Sequence, residues 1–242
     1  MRLIPVKTRV LKPPRDDLYG VLDEFLPKLQ EGDVLCVTSK VLSIHQGRCV
    51  AITPAVKKDE LVKQEAEYYL PGTTNQAGVP LTIKEHTLIP SAGIDESNAA
   101  GYYVLWPQDA FGAAREICQR LKQKYSLPKL AVIITDSHTI PLRWGVVGIS
   151  IGWWGLNPLR DYRGLPDIFG RKLTMTQSNV ADALAAAAVL IMGEGDERQP
   201  LVVVRDASFV EFTERDMSQE FVIAPEFDLY APLLKVFYNH HV

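Results

Sequence analysis

Three acidic residues stand where a reaction could use them. Asp95 lies in the small-residue loop Ser91-Ala92-Gly93-Ile94-Asp95-Glu96-Ser97-Asn98, Asp136 closes the apolar run Leu130 to Thr135, and Glu194 follows an alanine-rich stretch that ends at Met192-Gly193. Carboxylates at the mouths of buried elements suit Mg²⁺ or Mn²⁺, because hard cations take oxygen ligands and commonly bridge to substrate phosphates. The same residue types also cap helices and form turns, so type alone leaves both readings open. Other common chemistries lack their signatures: the chain has no GxxxxGK[ST], no GxGxxG after a strand, no HExxH and no GxSxG. His138, beside Asp136, is a candidate base or an ordinary loop histidine.

Composition narrows the partners. The 242 residues are 47% hydrophobic and 23% charged, as in an ordinary globular protein, and the net charge of −3 leaves no basic excess to hold nucleic acid or an anionic membrane. Any phosphate binding must be local. Cys36, Cys49 and Cys118 form no CxxC pair, so neither a disulfide framework nor a cysteine zinc site is expected, and a reducing cytosol fits best. The N-terminus has no apolar signal region, and the longest apolar run, Ala183 to Met192, is too short to cross a bilayer. A cytoplasmic protein is the expectation, with length alone leaving one domain or two open.

Periodicity supplies the elements that must position the acids. Residues 1 to 10 read as an edge strand, and Asp16-Asp17 opens a helix carried by Leu18, Val21, Leu22, Phe25, Leu26 and Leu29 and ended at Glu31-Gly32. Asp33 to Thr38 reads as a buried strand, followed after Ser39-Lys40 by a second strand ending near Gln46-Gly47-Arg48. Val56 to Leu70 reads as a charged helix, Leu81 to Lys84, Thr87 to Pro90 and Tyr102 to Trp106 as strands, and Asp109 to Tyr125 as an amphipathic helix. Leu130 to Thr135 is a central strand, Gly145 to Gly155 an apolar, glycine-punctuated stretch, and Asp161 to Arg171 a polar loop. Ser178 or Asn179 caps a helix ending at Gly193, Leu201 to Val204 is a strand, and Phe227 to Tyr238 a final helix. Without strict βαβ alternation, these elements imply an α+β fold with mixed β-sheets and flanking helices, with no internal repeat or linker.

Four stretches add a resemblance. Gly32-Asp33-Val34-Leu35-Cys36-Val37-Thr38-Ser39-Lys40, the 91–98 loop, Val132-Ile133-Ile134-Thr135-Asp136-Ser137 and Asp161-Tyr162-Arg163-Gly164 resemble, in order and spacing, the γ-glutamyl ligase family that elongates the deazaflavin coenzyme F-420. Asp167, Gly170-Arg171, Asp182 and the helix ending at Gly193-Glu194 continue the pattern over nearly the whole chain. The resemblance implies a γ-glutamyl ligase-like fold, with 1–242 as a single unit of two interlocked lobes in an intertwined homodimer. It implies a ligase using GTP and Mg²⁺ or Mn²⁺. The terminal carboxylate of an acceptor is phosphorylated, and L-glutamate attacks the acyl phosphate.

Carried over by position, Asp95 and Asp136 are catalytic and, with Ser137 and Glu194, metal-binding; Asn98 holds substrate. Leu11, Lys12, Ser39, Lys40, Met192, Gly193 and Gly195 match GTP-contacting stretches. Arg143, Arg163 and Arg171 are candidate clamps for phosphate or carboxylate, or structural ion pairs. Trp153-Trp154 could stack on a planar acceptor ring, or pack a core or an interface. The sequence departs from the family at Ile44, where a lysine is common, and in Ser137-His138-Thr139-Ile140-Pro141-Leu142-Arg143, where an arginine and a tryptophan are missing. These departures leave two alternatives: a folate-like or other acceptor, or a catalytically altered protein that only binds nucleotide or a small molecule.

Overall fold

The protein is described by a computed structural model covering residues 1–238; the last four residues of the expected 1–242 unit lie outside the described part. β1 (Arg2–Val6) leads to α1 (Leu18–Phe25), capped by the Asp17 side chain, which accepts from the Tyr19 N–H. The helix stops four residues earlier than its apolar periodicity suggests. Pro27 holds Leu26 in extended backbone (ψ 131°), although Leu26 and Leu29 stay in the core.

β2 (Asp33–Thr38) runs directly into α2 (Ser39–Gln46). The expected second strand here is therefore corrected to a helix. Gly47, at φ +72°, ends it in the left-handed region and donates its N–H to the Ile44 carbonyl, a terminus that glycine adopts without steric penalty. β3 (Cys49–Ala51) and α3 (Lys58–Glu65) follow. The expected helix to Leu70 gives way to β4 (Tyr68–Leu70), because this aromatic run pairs with β5 (Leu81–Lys84), itself paired with β6 (Thr87–Pro90). β7 (Tyr102–Val104) pairs with β3, and α4 (Ala110–Tyr125) returns the chain to the main sheet.

β8 (Leu130–Thr139) and β9 (Val146–Trp154) form a long hairpin, and β10 (Leu159–Asp161) pairs with β11 (Gln177–Asn179). α5 (Val180–Met192) is capped by the Asn179 side chain, and β12 (Leu201–Arg205) completes the sheet. The final helix is also corrected. Residues 225–237 break into short turns, Pro225–Phe227, Ala231–Leu234 and Lys235–Phe237, with Pro232 interrupting the run.

The main sheet has the order β1-β12-β2-β8-β9, antiparallel except for the parallel β2–β8 pair at its centre. Both faces are covered. Leu35, Val37, Val132, Ile134, Leu201 and Val203 face α1, α2 and α4, while Val34, Cys36, Ala131, Ile133, Val202 and Val204 face α5. The segment between α2 and α4 carries its own small core around Val62, Tyr69, Ile94 and Tyr103. The architecture is α+β with mixed sheets, as expected. All three cysteines are free thiols, and burial pushes Cys36 and Cys118 each up to about 12. No helix of the described residues is long and apolar enough to cross a membrane.

Inside the sheet, the fully buried Asp33 takes two hydrogen bonds from Arg205, Nε to Oδ1 at 2.8 Å and Nη2 to Oδ2 at 2.7 Å. It also accepts the Gln30 N–H. Removing one partner strands the other, so Asp33→Ala should cost about 3 kcal/mol in urea unfolding; a loss below about 1 kcal/mol would show that the pair is dispensable.

Candidate functional site

A pocket of about 330 Å³ opens at the C-terminal end of β2, where its parallel pairing with β8 stops. Their parallel register sets Thr38 beside Thr135, and the next residues, Ser39 and Asp136, reach the pocket wall. Ligands commonly sit at the carboxyl ends of parallel strands. The β8–β9 register shifts just before Asp136: Ile134 pairs with Gly152 and Thr135 with Ser150, leaving Ile151 of β9 as the extra residue.

Leu11, Ser39, Lys40, Asp95, Asn98, Asp136, Ser137, Met192, Gly193, Glu194 and Gly195 all line this pocket. Five separate chain segments therefore converge. Lys12 does not line it: this residue is exposed, and its backbone N–H donates to Asp16 Oδ2 at 2.9 Å. His138, Arg143, Arg163 and Arg171 also lie outside the wall. Arg163 is paired with Asp161 at 2.6 Å, and His138 Nδ1 is buried with no hydrogen-bond partner among the described residues. Trp153 packs in the core, its ring 4.7 Å from Phe111 and 4.5 Å from Phe221, and Trp154 is buried in the cluster on the opposite face of the sheet. These contacts match the packing role and leave neither ring free for an acceptor. Ile44 is buried at the pocket wall and brings no cation to that turn of α2.

The two aspartates are held differently. Asp95 Oδ2 lies 2.6 Å from Lys40 Nζ, and Asp95 accepts the Ser97 N–H at 2.8 Å and the Ser97 hydroxyl at 2.9 Å. Burial works to raise its pKa, but the Lys40 ammonium and the Ser97 donors together hold it below the ordinary value. Asp136 forms no ion pair among the described residues. Its Oδ1 accepts the Ser137 N–H at 2.8 Å, and its Oδ2 accepts the indole N–H of Trp106. Burial, with Asp95 nearby, pushes Asp136 up to about 6 against the pull of these two donors and of Lys40. Glu194 is raised by burial as well, opposed by the Ser137 hydroxyl and Lys40.

Two loops are tied across the pocket. Asn98, in left-handed backbone at φ +50°, donates its side-chain amide to the Gly195 carbonyl at 2.9 Å. Glu197 accepts the Gly195 N–H, and a Cβ on Gly193 would meet the Glu197 carboxyl carbon at 2.3 Å. Asn98 thus shapes the loop after α5 while lining the site. Trp106 lines the pocket without having been singled out by sequence; Glu197 and Arg198 line it within the Met192–Gln199 stretch that the family pattern already marks. Trp106, at the end of a strand and before a proline, has the pattern of any core tryptophan.

The donor set suits a divalent cation of a particular kind. Among the described residues, no three acidic, histidine or cysteine side chains form a group that could hold a metal ion. Mg²⁺ is usually held by one or two carboxylates plus substrate phosphates and waters, not by an all-protein cage. Asp136, a carboxylate with no ion-pair partner, and Asp95, with the Ser137 hydroxyl and Glu194 beside them, fit a cation that arrives with its phosphates.

Comparison with known proteins gives the site a context. A family model described as F420-0:gamma-glutamyl ligase matches residues 5–206. A coenzyme F420:L-glutamate ligase of Methanopyrus kandleri is 36% identical over 225 residues, 85% of this chain and 86% of that protein. Proteins of the same name from Natronomonas pharaonis and Halobacterium salinarum are 35% and 32% identical, covering 80% and 91% of this chain and 81% and 91% of their own.

The pKa of Asp136 makes a prediction about the metal-free protein. Its folded value, about 6, lies above the ordinary 3.8, so ionisation in the folded chain opposes folding. The penalty is absent below the unfolded value and complete once pH rises past the folded one. The stability of wild type relative to Asp136→Asn should therefore fall between about pH 4 and about pH 8, by up to about 3 kcal/mol. Thermal melts of both proteins in chelator check this, and a pH-independent difference would refute it.

Proposed function

The chain belongs to the F420-0:gamma-glutamyl ligase family, and from that premise we propose that it is a glutamate-adding ligase of coenzyme F-420 biosynthesis. On this reading it uses GTP and a divalent cation to join L-glutamate to a carboxylate of an F-420-type acceptor. The observation that carries the reading is the convergence, in one pocket, of the acidic residues, Lys40, Asn98 and the loop after α5.

The chemistry has two steps. An acceptor carboxylate oxygen attacks the γ-phosphorus of GTP, the bond to the β-phosphate oxygen breaks, and GDP leaves an acyl phosphate. The glutamate amine then attacks the acyl carbon, a C–N bond forms, and inorganic phosphate departs with release of a proton. Bound Mg²⁺ or Mn²⁺ would supply charge neutralisation of the phosphates, the dominant need in phosphoryl transfer. Asp95, Asp136, Ser137 and Glu194 would hold the cation. Lys40 would exchange Asp95 for a phosphate oxygen. Leu11, Ser39, Met192, Gly193 and Gly195 would form the walls that orient the nucleotide, and Asn98 would both set the 193–197 loop and face the substrate.

The surface supports a homodimer. Leu142 and Trp144, at the tip of the β8–β9 hairpin, are 95% and fully exposed, and Ile168 and Phe169 in the 161–176 segment are about 90% exposed. Apolar side chains left this open call for cover by another surface. Light scattering should give twice the chain mass, and Trp144→Ser with Phe169→Ser should shift it to the monomer; a wild-type monomer would end the dimer reading. A cytoplasmic location accords with a metabolic enzyme of this kind.

Incubation with GTP, Mg²⁺ or Mn²⁺, L-glutamate and the family acceptor should release GDP and phosphate and increase the acceptor's mass by one glutamyl residue. Asp136→Ala should lower turnover at least about 100-fold. GTP binding without turnover on this or folate-like acceptors would show a binding protein instead, the outcome to which the departures at Ile44 and 137–143 would then be traced.

A further inference from the structure

Among the described residues, Asp136 differs from Asp95 in being hydrogen-bonded only by neutral donors, with Lys40 acting on it at longer range, and the larger of those donors is itself built in. Trp106 is 2% exposed, and its indole N–H points at Asp136 Oδ2. Three features hold the ring in place. The core of α2, α4 and the main sheet packs around it. The Trp106 carbonyl accepts Arg48 Nε at 3.1 Å, and Arg48 is anchored in turn at 2.6 Å to Glu65, which also binds the buried Lys84. Gly93 supplies the third. Its φ is +72°, and a Cβ there would lie 2.1 Å from the indole nitrogen, so only a glycine leaves the ring room to reach Asp136.

We infer that Trp106 is a positioning residue for Asp136. Its N–H and the Ser137 N–H take one lone pair on each carboxylate oxygen, which fixes the plane of the group and leaves a lone pair on each oxygen free for a cation. Being uncharged, the indole orients Asp136 without competing for the cation's place, in contrast to Lys40 at Asp95. Outer partners of this kind typically govern metal affinity by about 10–100-fold. The anchoring chain Lys84–Glu65–Arg48–Trp106 links the small core between α2 and α4 to a carboxylate of the main sheet, so packing in one part sets ligand geometry in the other. The inference rests on the metal-dependent reading of the site.

The test is Mn²⁺ titration followed by electron paramagnetic resonance, with and without GTP, on wild type, Trp106→Phe and Trp154→Phe. Trp106→Phe keeps the buried ring and deletes the N–H, and it should weaken Mn²⁺ about 10–100-fold. Trp154→Phe, a core tryptophan off the pocket wall, should leave affinity unchanged. In turnover assays Trp106→Phe should raise the Mn²⁺ concentration for half-maximal rate and retain kcat at saturating metal. A merely structural Trp106 would lower the melting temperature and leave the affinity of the folded protein alone. Gly93→Ala, which displaces the same indole, should weaken Mn²⁺ in the same direction and carries the test if Trp106→Phe does not fold. Mn²⁺ affinity in these variants within about twofold of a binding wild type overturns the assignment of Trp106 alone. Failure of wild type to bind Mn²⁺, even with GTP, overturns the metal reading and this role together.

Discussion

The parallel pairing of β2 with β8 at the centre of the main sheet is the constraint on which the rest depends. These strands are buried on both faces, with Val34 to Val37 and Leu130 to Ile134 almost wholly excluded from water. Parallel neighbours cannot be joined by a tight turn, so the chain must cross over from the end of β2 to the start of β8. Residues 39–129 make that crossover. They include α2, the small core, the 91–98 loop, Trp106 and α4. The connection demanded by strand geometry thus delivers Lys40, Asp95, Asn98 and Trp106 to the end of the sheet where Asp136 emerges.

Electrostatics at that end follow from the same arrangement. The chain carries only a slight acidic excess overall, yet it brings Asp95 close enough to both Asp136 and Glu194 to disfavour their ionisation. Repulsion is managed unequally. Lys40 neutralises Asp95, whereas Asp136 is stabilised by two N–H dipoles and stays a reluctant acid. An uncompensated carboxylate in a partly buried site is costly to ionise, and a cation is the partner that relieves the cost.

Much of the architecture was legible from local pattern. The buried strands Asp33–Thr38 and Leu201–Arg205, the capped start of α5 at Asn179 and its stop at Gly193 follow from apolar runs and capping residues. Ser39–Gln46 reads equally as a short apolar strand or a buried helix, and the choice came from the left-handed turn at Gly47 and from packing on α1 and the sheet. Apolar periodicity alone runs a helix past Pro27 and across Pro232, where proline ends the helical backbone.

Sequence by itself determined the residue types of the site, the order in which they occur and the family pattern they form; Asp95, Asn98, Asp136 and Glu194 could be named without coordinates. Only the tertiary structure decided which of them meet and what each one touches. Lys40 finds Asp95 across 55 positions and Trp106 finds Asp136 across 30, contacts that no local periodicity encodes. The physical reason is that strand and helix patterns report which face of an element is buried, whereas hydrogen-bond partners depend on how separate elements pack. That packing excluded Lys12 and His138 from the pocket wall and brought Trp106, which the sequence marks only as the end of a strand, to line it.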